Sequence, residues 1–265
     1  MLDPSRHSLP SVNWLRFASD GDPVPEWPLE AILDGAAAAG FSAVGVDRHT
    51  AGGRVEDLGN EVRARGLRCT DVGVLPLGTP GVVDAAELLA RMAAATGARI
   101  CLAAHYAPTP FEQAARELRA SAEILARAGA TLVLEFVVYG PLPTLDEAAE
   151  LCEAVGWDRC RLLVDTWHVF RGGEPLSRLR SLSGDRIGLV HLNDGAAKPH
   201  EDAVFEGRFA RLPPGRGAFP LAEFTAAIEA TGYRGPVGVE VLSEELRCLP
   251  PVEGARELMR SLSEL

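Results

Sequence analysis

The sequence predicts an α/β protein, a single (β/α)8 barrel over residues 1–265, on three observations. Short β-branched or apolar runs alternate with longer Ala/Leu/Glu/Arg segments along the whole chain, the pattern of parallel strands joined by crossover helices. Eight such units follow one another, as barrel closure requires, and no GxGxxG or GxxxxGK[ST] follows the first strand as in an open nucleotide-binding sheet. Gly40, Gly66, Gly97, Gly129, Gly156 and Gly232 each stand just past a helical run, where a residue tolerating positive φ ends the helix cheaply.

Strands are expected at 12–18, 43–47, 67–74, 98–104, 131–138, 161–165, 187–192 and 237–241. Helices are expected at 29–39, 55–65, 82–96, 111–128, 145–155, 176–182, 221–230 and 252–262. In the fourth helix Ala115, Leu118, Ala122 and Leu125 recur every three or four residues, a core-facing stripe, while Glu112, Arg116, Glu123 and Arg127 take other faces. The connection 194–219 is far longer than a usual strand-to-helix loop, and long loops in compact domains are often functional.

Composition narrows the function classes. A chain of 265 residues, 47% hydrophobic and without an apolar run near eighteen residues, can bury a large core but offers no membrane-spanning helix. Asp3, Pro4, Arg6 and His7 stand where a signal peptide needs apolar residues, so a cytoplasmic location is expected. Cys69, Cys101, Cys152, Cys160 and Cys248 form no CxxC pair and read as thiols, mostly small core residues. The net charge of −11 argues against a nucleic-acid partner, whose phosphates require a basic surface.

Barrel enzymes assemble their sites at the C-terminal ends of the strands. There the last four strands read Leu-Val-Leu-Glu135, Leu-Leu-Val-Asp165, Gly-Leu-Val-His191 and Val-Gly-Val-Glu240. One buried carboxylate can be satisfied by an arginine, but ionisable residues at equivalent places on four consecutive strands need a common partner. Three carboxylates and an imidazole suit one divalent ion: Mn2+ first, because mixed O/N ligation with open positions suits it, with Mg2+, Co2+ or Zn2+ as alternatives. Such an ion offsets the enediolate charge that arises when a proton leaves the carbon beside a carbonyl, and Glu135 and Glu240, on different strands, are the candidate proton-transfer groups. The expected substrate is a small polyhydroxy carbonyl compound. Trp14, Asn13, His49 and His105 are further candidates for the barrel mouth, Trp14 as a ring covering a sugar face and His105 as a hydroxyl partner.

Leu-Glu135-Phe, Asp165-Thr-Trp-His168, His191-Leu-Asn-Asp194, Arg211-Leu-Pro-Pro-Gly215-Arg-Gly217 and Val-Glu240-Val together resemble the xylose-isomerase-like TIM barrels, the sugar phosphate isomerase/epimerase superfamily. Within it the pattern looks most like inosose (2-keto-myo-inositol) isomerases. The resemblance implies metal ligands at Glu135, Asp165, His191 and Glu240, substrate contacts at His168 and Arg211 (with Arg208 as the rival arginine), and a possible homo-oligomer. It implies an isomerase or epimerase, with a dehydratase on an inosose or dehydroshikimate-like substrate as the runner-up. Ketose 3-epimerases of this superfamily carry a further glutamate six residues beyond the first metal glutamate; Pro141 stands there. AP endonucleases of the superfamily carry Asp-x-His near the seventh loop, where this chain has His200-Glu-Asp202. A nuclease, like a non-catalytic binding protein, is therefore a less favoured reading.

Overall fold

The computed structural model describes residues 3–18 and 22–265. Eight parallel strands close into a barrel in chain order: β1 (His7–Pro10), β2 (Ala43–Asp47), β3 (Arg68–Leu77), β4 (Ile100–His105), β5 (Thr131–Glu135), β6 (Cys160–Asp165), β7 (Ile187–His191) and β8 (Val237–Gly238). β8 returns to β1, with His7 opposite Val237. The main outer helices are α1 (Leu29–Ala39), α2 (Val55–Ala64), α3 (Val82–Thr96), α4 (Phe111–Arg127), α5 (Leu145–Val155), α6 (Leu176–Arg180), α7 (Leu221–Ala230) and α8 (Pro251–Ser263). All six glycines expected to end helices have positive φ, Gly97 at 79° for example. The stripe of α4 is buried as expected. Among the described residues no helix is long and apolar enough to cross a membrane. Four of the cysteines are buried and Cys248 is exposed.

The first strand differs from the expectation of 12–18 and begins five residues earlier. His7, Ser8 and Pro10 gave it little apolar signal, whereas the more apolar stretch after it forms a 3-10 turn, Ser11–Trp14. Leu15 and Arg16 then pair with Val24 and Pro25 in a small antiparallel ribbon. Four short helices also went unpredicted: Arg48–Ala51, Thr166–Gly172, Ala203–Phe209 and Glu244–Cys248. The side chains of Asp47, Asp165, Asp202 and Ser243 cap them, each accepting from a backbone N–H of the first turn.

Strand alternation decides what enters the barrel. Val133, Leu163 and Leu189 form a separate buried layer, while Leu132, Leu134, Leu162, Val164 and Val190 join the core beneath the helices. Because side chains two apart share a face, Glu135, Asp165 and His191 point the same way as that inner layer, one step nearer the mouth. Val237, Val239 and Val241 pack outward, which leaves Glu240 on the inner side. Gly238 makes the neighbouring space: a Cβ there would stand 2.8 Å from His191 Cδ2.

Candidate metal centre

One donor atom from each of Glu135, Asp165, His191 and Glu240 lies within 4.8 Å of the others. The last strand is too short to hold Glu240 by strand pairing alone. Asn13 completes it, donating from Nδ2 to Val239 O (2.9 Å) and accepting from Val241 N at Oδ1 (2.8 Å), so that one buried amide grips the backbone on both sides of Glu240. Asp165 Oδ1 accepts from Trp167 N and His168 N, and Oδ2 from Asn193 Nδ2 (2.9 Å). The Asp-Thr-Trp-His element is thus a helix cap whose first turn brings His168 back over the site.

Arg211 is almost fully buried and donates from one guanidinium nitrogen to Asp165 Oδ2 and Glu240 Oε2, both at 3.0 Å. Asp194 sets its place. The Asp194 carboxylate accepts from Gly195, Gly215, Gly217 and Phe219 amides and so folds the Pro-Pro-Gly-Arg-Gly turn around itself. Gly217 permits this approach, since a Cβ would stand 2.3 Å from Gly195 O.

Three carboxylates face one guanidinium and one imidazole, so without a bound cation the cluster must hold extra protons to balance its buried charge. Glu135 Oε1 and His191 Nε2 have no hydrogen-bond partner, and His191 Nδ1 stands 3.3 Å from Glu240 Oε1. Burial, then the charges of Glu240 and Asp165, push Glu135 up to about 8. Burial pulls the His191 imidazole down, but the Glu240, Asp165 and Glu135 carboxylates outweigh it and raise it to about 9. Burial likewise opposes ionisation of Glu240, yet His191 and Arg211 bring it down to about 2. The unpartnered donors and the carboxylate excess fit a divalent ion coordinated by these four residues.

The site opens into a cavity of about 1120 Å3, lined by Glu135, His168, Arg211 and Glu240 on one side and by His49 and His105 among others. His168 is buried, and burial holds it down to about 4. Val138 N donates to its Nδ1 (3.4 Å), which leaves Nε2 as the protonated nitrogen, 3.7 Å from Glu135 Oε1. His105 lines the cavity with both ring nitrogens unpartnered, and burial lowers its pKa. Trp14 is placed differently from the expectation. With β1 five residues earlier, its ring is fully buried in the core against Gly254, and it is not among the described residues lining the cavity. Arg211, expected to reach a substrate hydroxyl, lines the cavity but is held by Asp165 and Glu240. Sequence reasoning did not find Asn13's grip on Glu240, although it placed Asn13 near the mouth.

A closed parallel barrel with a carboxylate–imidazole cluster at its C-terminal mouth defines the class. The chain belongs to the xylose isomerase-like TIM barrel family, whose model matches residues 33–265. A 3-dehydroshikimate dehydratase of Pseudomonas aeruginosa is 32% identical over 150 residues, 56% of this chain and 23% of that protein. An inosose isomerase of Halalkalibacterium halodurans is 30% identical over 125 residues, 46% of this chain and 43% of that protein. The chain thus matches less than half the length of these curated relatives. Among solved structures, the IolI protein with a bound zinc atom superposes with a TM-score of 0.83 at 17% identity, covering 98% of this chain and 97% of that one. Curated relatives of the chain include inosose isomerases, a D-psicose 3-epimerase and 3-dehydroshikimate dehydratases.

Proposed function

We propose that the chain is a metal-dependent isomerase or epimerase of a sugar or cyclitol ketone, with Glu135 and Glu240 as its proton-transfer groups. The observation that carries this reading is the convergence of Glu135, Asp165, His191 and Glu240 donor atoms within 4.8 Å at the mouth of a cavity large enough for a sugar. When bound there, a divalent ion supplies positive charge beside the substrate's carbonyl and neighbouring hydroxyl oxygens, which lowers the cost of an enediolate. Mn2+ is our first choice, and zinc is the competitor to test, since a protein of the same fold holds it.

The chain's own residues move the protons. One of Glu135 and Glu240 takes the proton from the carbon beside the carbonyl, and a proton is returned to the neighbouring carbon or to the opposite face of the same one. His168, neutral with its Nε2 proton towards Glu135, donates to a substrate oxygen. Arg211 holds Asp165 and Glu240 in place and confines Glu240's motion.

The match to a 3-dehydroshikimate dehydratase favours one second reading, a lyase in which the same proton removal is followed by loss of hydroxide. Incubation of the Mn2+-loaded protein in deuterated water with 2-keto-myo-inositol, ketoses and 3-dehydroshikimate separates the two. Deuterium in an isomerised product is the expected result; a new unsaturated-carbonyl absorbance assigns the lyase. Absence of exchange with all of them would sink the chemistry for these substrates.

A further inference from the structure

The far wall of the cavity carries positive charge that the proton-transfer reading does not use. Arg208, on the short helix Ala203–Phe209, lines the cavity with its guanidinium 5.7 Å from the Phe17 ring centroid and 5.9 Å from that of Tyr139. Two rings therefore hold it in place without neutralising it. Behind it lies Arg247, only 3% exposed, 5.9 Å from the same Phe17 ring and 5.4 Å from Phe209. Arg247 donates to the backbone carbonyl of Arg208 (3.0 Å), and its Nε has no partner. Among the described residues neither arginine forms an ion pair. Arg208 stands at the cavity wall with no carboxylate paired to it among the described residues, so an anion in the cavity would satisfy its charge, whereas Glu244 and Glu26 lie near enough to offset Arg247. The chain as a whole is acidic and Arg211 is already taken by two carboxylates, so a general anion-attracting surface does not explain the pair.

We infer that Arg208, backed by Arg247, is the anchor for an anionic group, a carboxylate or phosphate, on the substrate. The inference rests on the reading of the cavity as the site of a small hydroxy ketone and names the class of that ketone. Tyr139 sets the spacing: its ring meets Arg208 on one side and lies 5.9 Å from the His168 ring on another. His168 in turn faces Glu135, so a single molecule can place its anion on Arg208 and its carbonyl at the four-residue cluster. A guanidinium offers paired N–H donors that match two oxygens of either anion. A neutral cyclitol leaves Arg208 without a paired counter-charge among the described residues.

The test uses the full chain loaded with Mn2+ and three probes: 3-dehydroshikimate for the carboxylate, xylulose 5-phosphate for the phosphate, and neutral 2-keto-myo-inositol. Binding is followed by calorimetry and turnover by steady-state kinetics, for the wild type, Arg208→Gln, Arg208→Lys and Arg256→Gln. Arg256 is the control because it is exposed on α8 and is not among the described residues lining the cavity. The loss of one charge-assisted contact is expected to weaken binding of the favoured anion, in Kd or KM, about 10- to 100-fold in Arg208→Gln with kcat changed little. Arg208→Lys restores part of the affinity, Arg256→Gln binds like the wild type, and the neutral probe is indifferent to Arg208. Which anion binds identifies the source. Anion binding sensitive to Arg208 without turnover keeps the anchor and refutes the proposed reaction. Turnover of the neutral probe with no Arg208-dependent anion binding keeps the reaction and overturns the anchor, as does equal loss for all three probes.

Discussion

Asn13 does with one side chain what three more residues of paired strand would do for Glu240. Its replacement by Ala strips partners from Val239 O and Val241 N in a buried setting. We expect Asn13→Ala to cost about 2–5 kcal/mol in urea denaturation, from two buried backbone groups left unsatisfied, and to weaken Mn2+ binding as well. Glu135 gives the opposite stability outcome. It lies in a surplus of negative charge with an unpartnered oxygen. Glu135→Gln is therefore expected to leave the metal-free protein at least as heat-stable as the wild type near pH 9, while lowering metal affinity about tenfold or more. A large loss of metal-free stability would show that Glu135 is held by structure and not by a cation. The four candidate ligands were legible because each follows an apolar run at the same step of alternation, Glu240 two residues past the end of its strand. Asn13's role was not, because its partners lie more than two hundred positions away and are backbone atoms that no side-chain pattern announces. The same is true of the cluster joining Phe17, Tyr139, Arg208 and Arg247, which meets only once the barrel has closed.

Among the elements, the layer of Val133, Leu163 and Leu189 is the floor beneath Glu135, Asp165 and His191. Leu163→Ala opens space under Asp165 and is expected to destabilise the protein by about 2–5 kcal/mol in denaturant unfolding. Metal affinity should fall with it; unchanged affinity would mean that the loops, not this floor, set the ligand geometry. Most barrel strands and outer helices were legible because each repeats a clear period and ends on a glycine or a polar turn. The first strand was not: four residues containing His7, Ser8 and Pro10 carry too little apolar pattern against the neighbouring Val12, Trp14 and Leu15. The short helices at the mouth span at most two turns, below the length at which a helical period can be read.

For the whole molecule, the cluster links stability to pH and to metal. Glu135 and His191 have folded pKa values raised to about 8 and about 9, so their stabilising contribution is complete at low pH and is lost as pH rises through those values. His7 and His168, both held down to about 4 by burial, act in the other direction: their contribution is present above about pH 6.5 and fades as pH falls towards 4. The metal-free chain should therefore lose thermal stability from about pH 7 to 9, and the rise in Tm on adding Mn2+ should grow over that interval. At pH 7 the ion displaces protons from Glu135 and His191, which calorimetry in buffers of different ionisation enthalpy will read as proton release. A Tm increment that is the same at both ends of the interval would contradict the cluster as the binding place. The strand order has a consequence for how such a protein changes through descent or design. All four candidate ligands come from the second half of the barrel, β5 to β8, whereas β2 and β4 bring His49 and His105 to the facing wall. The four candidate ligands are thus encoded in one stretch of the gene but depend on Asn13 from the other, so a chimera that exchanges the first half keeps the cluster only if it brings an amide to the same place beside Glu240.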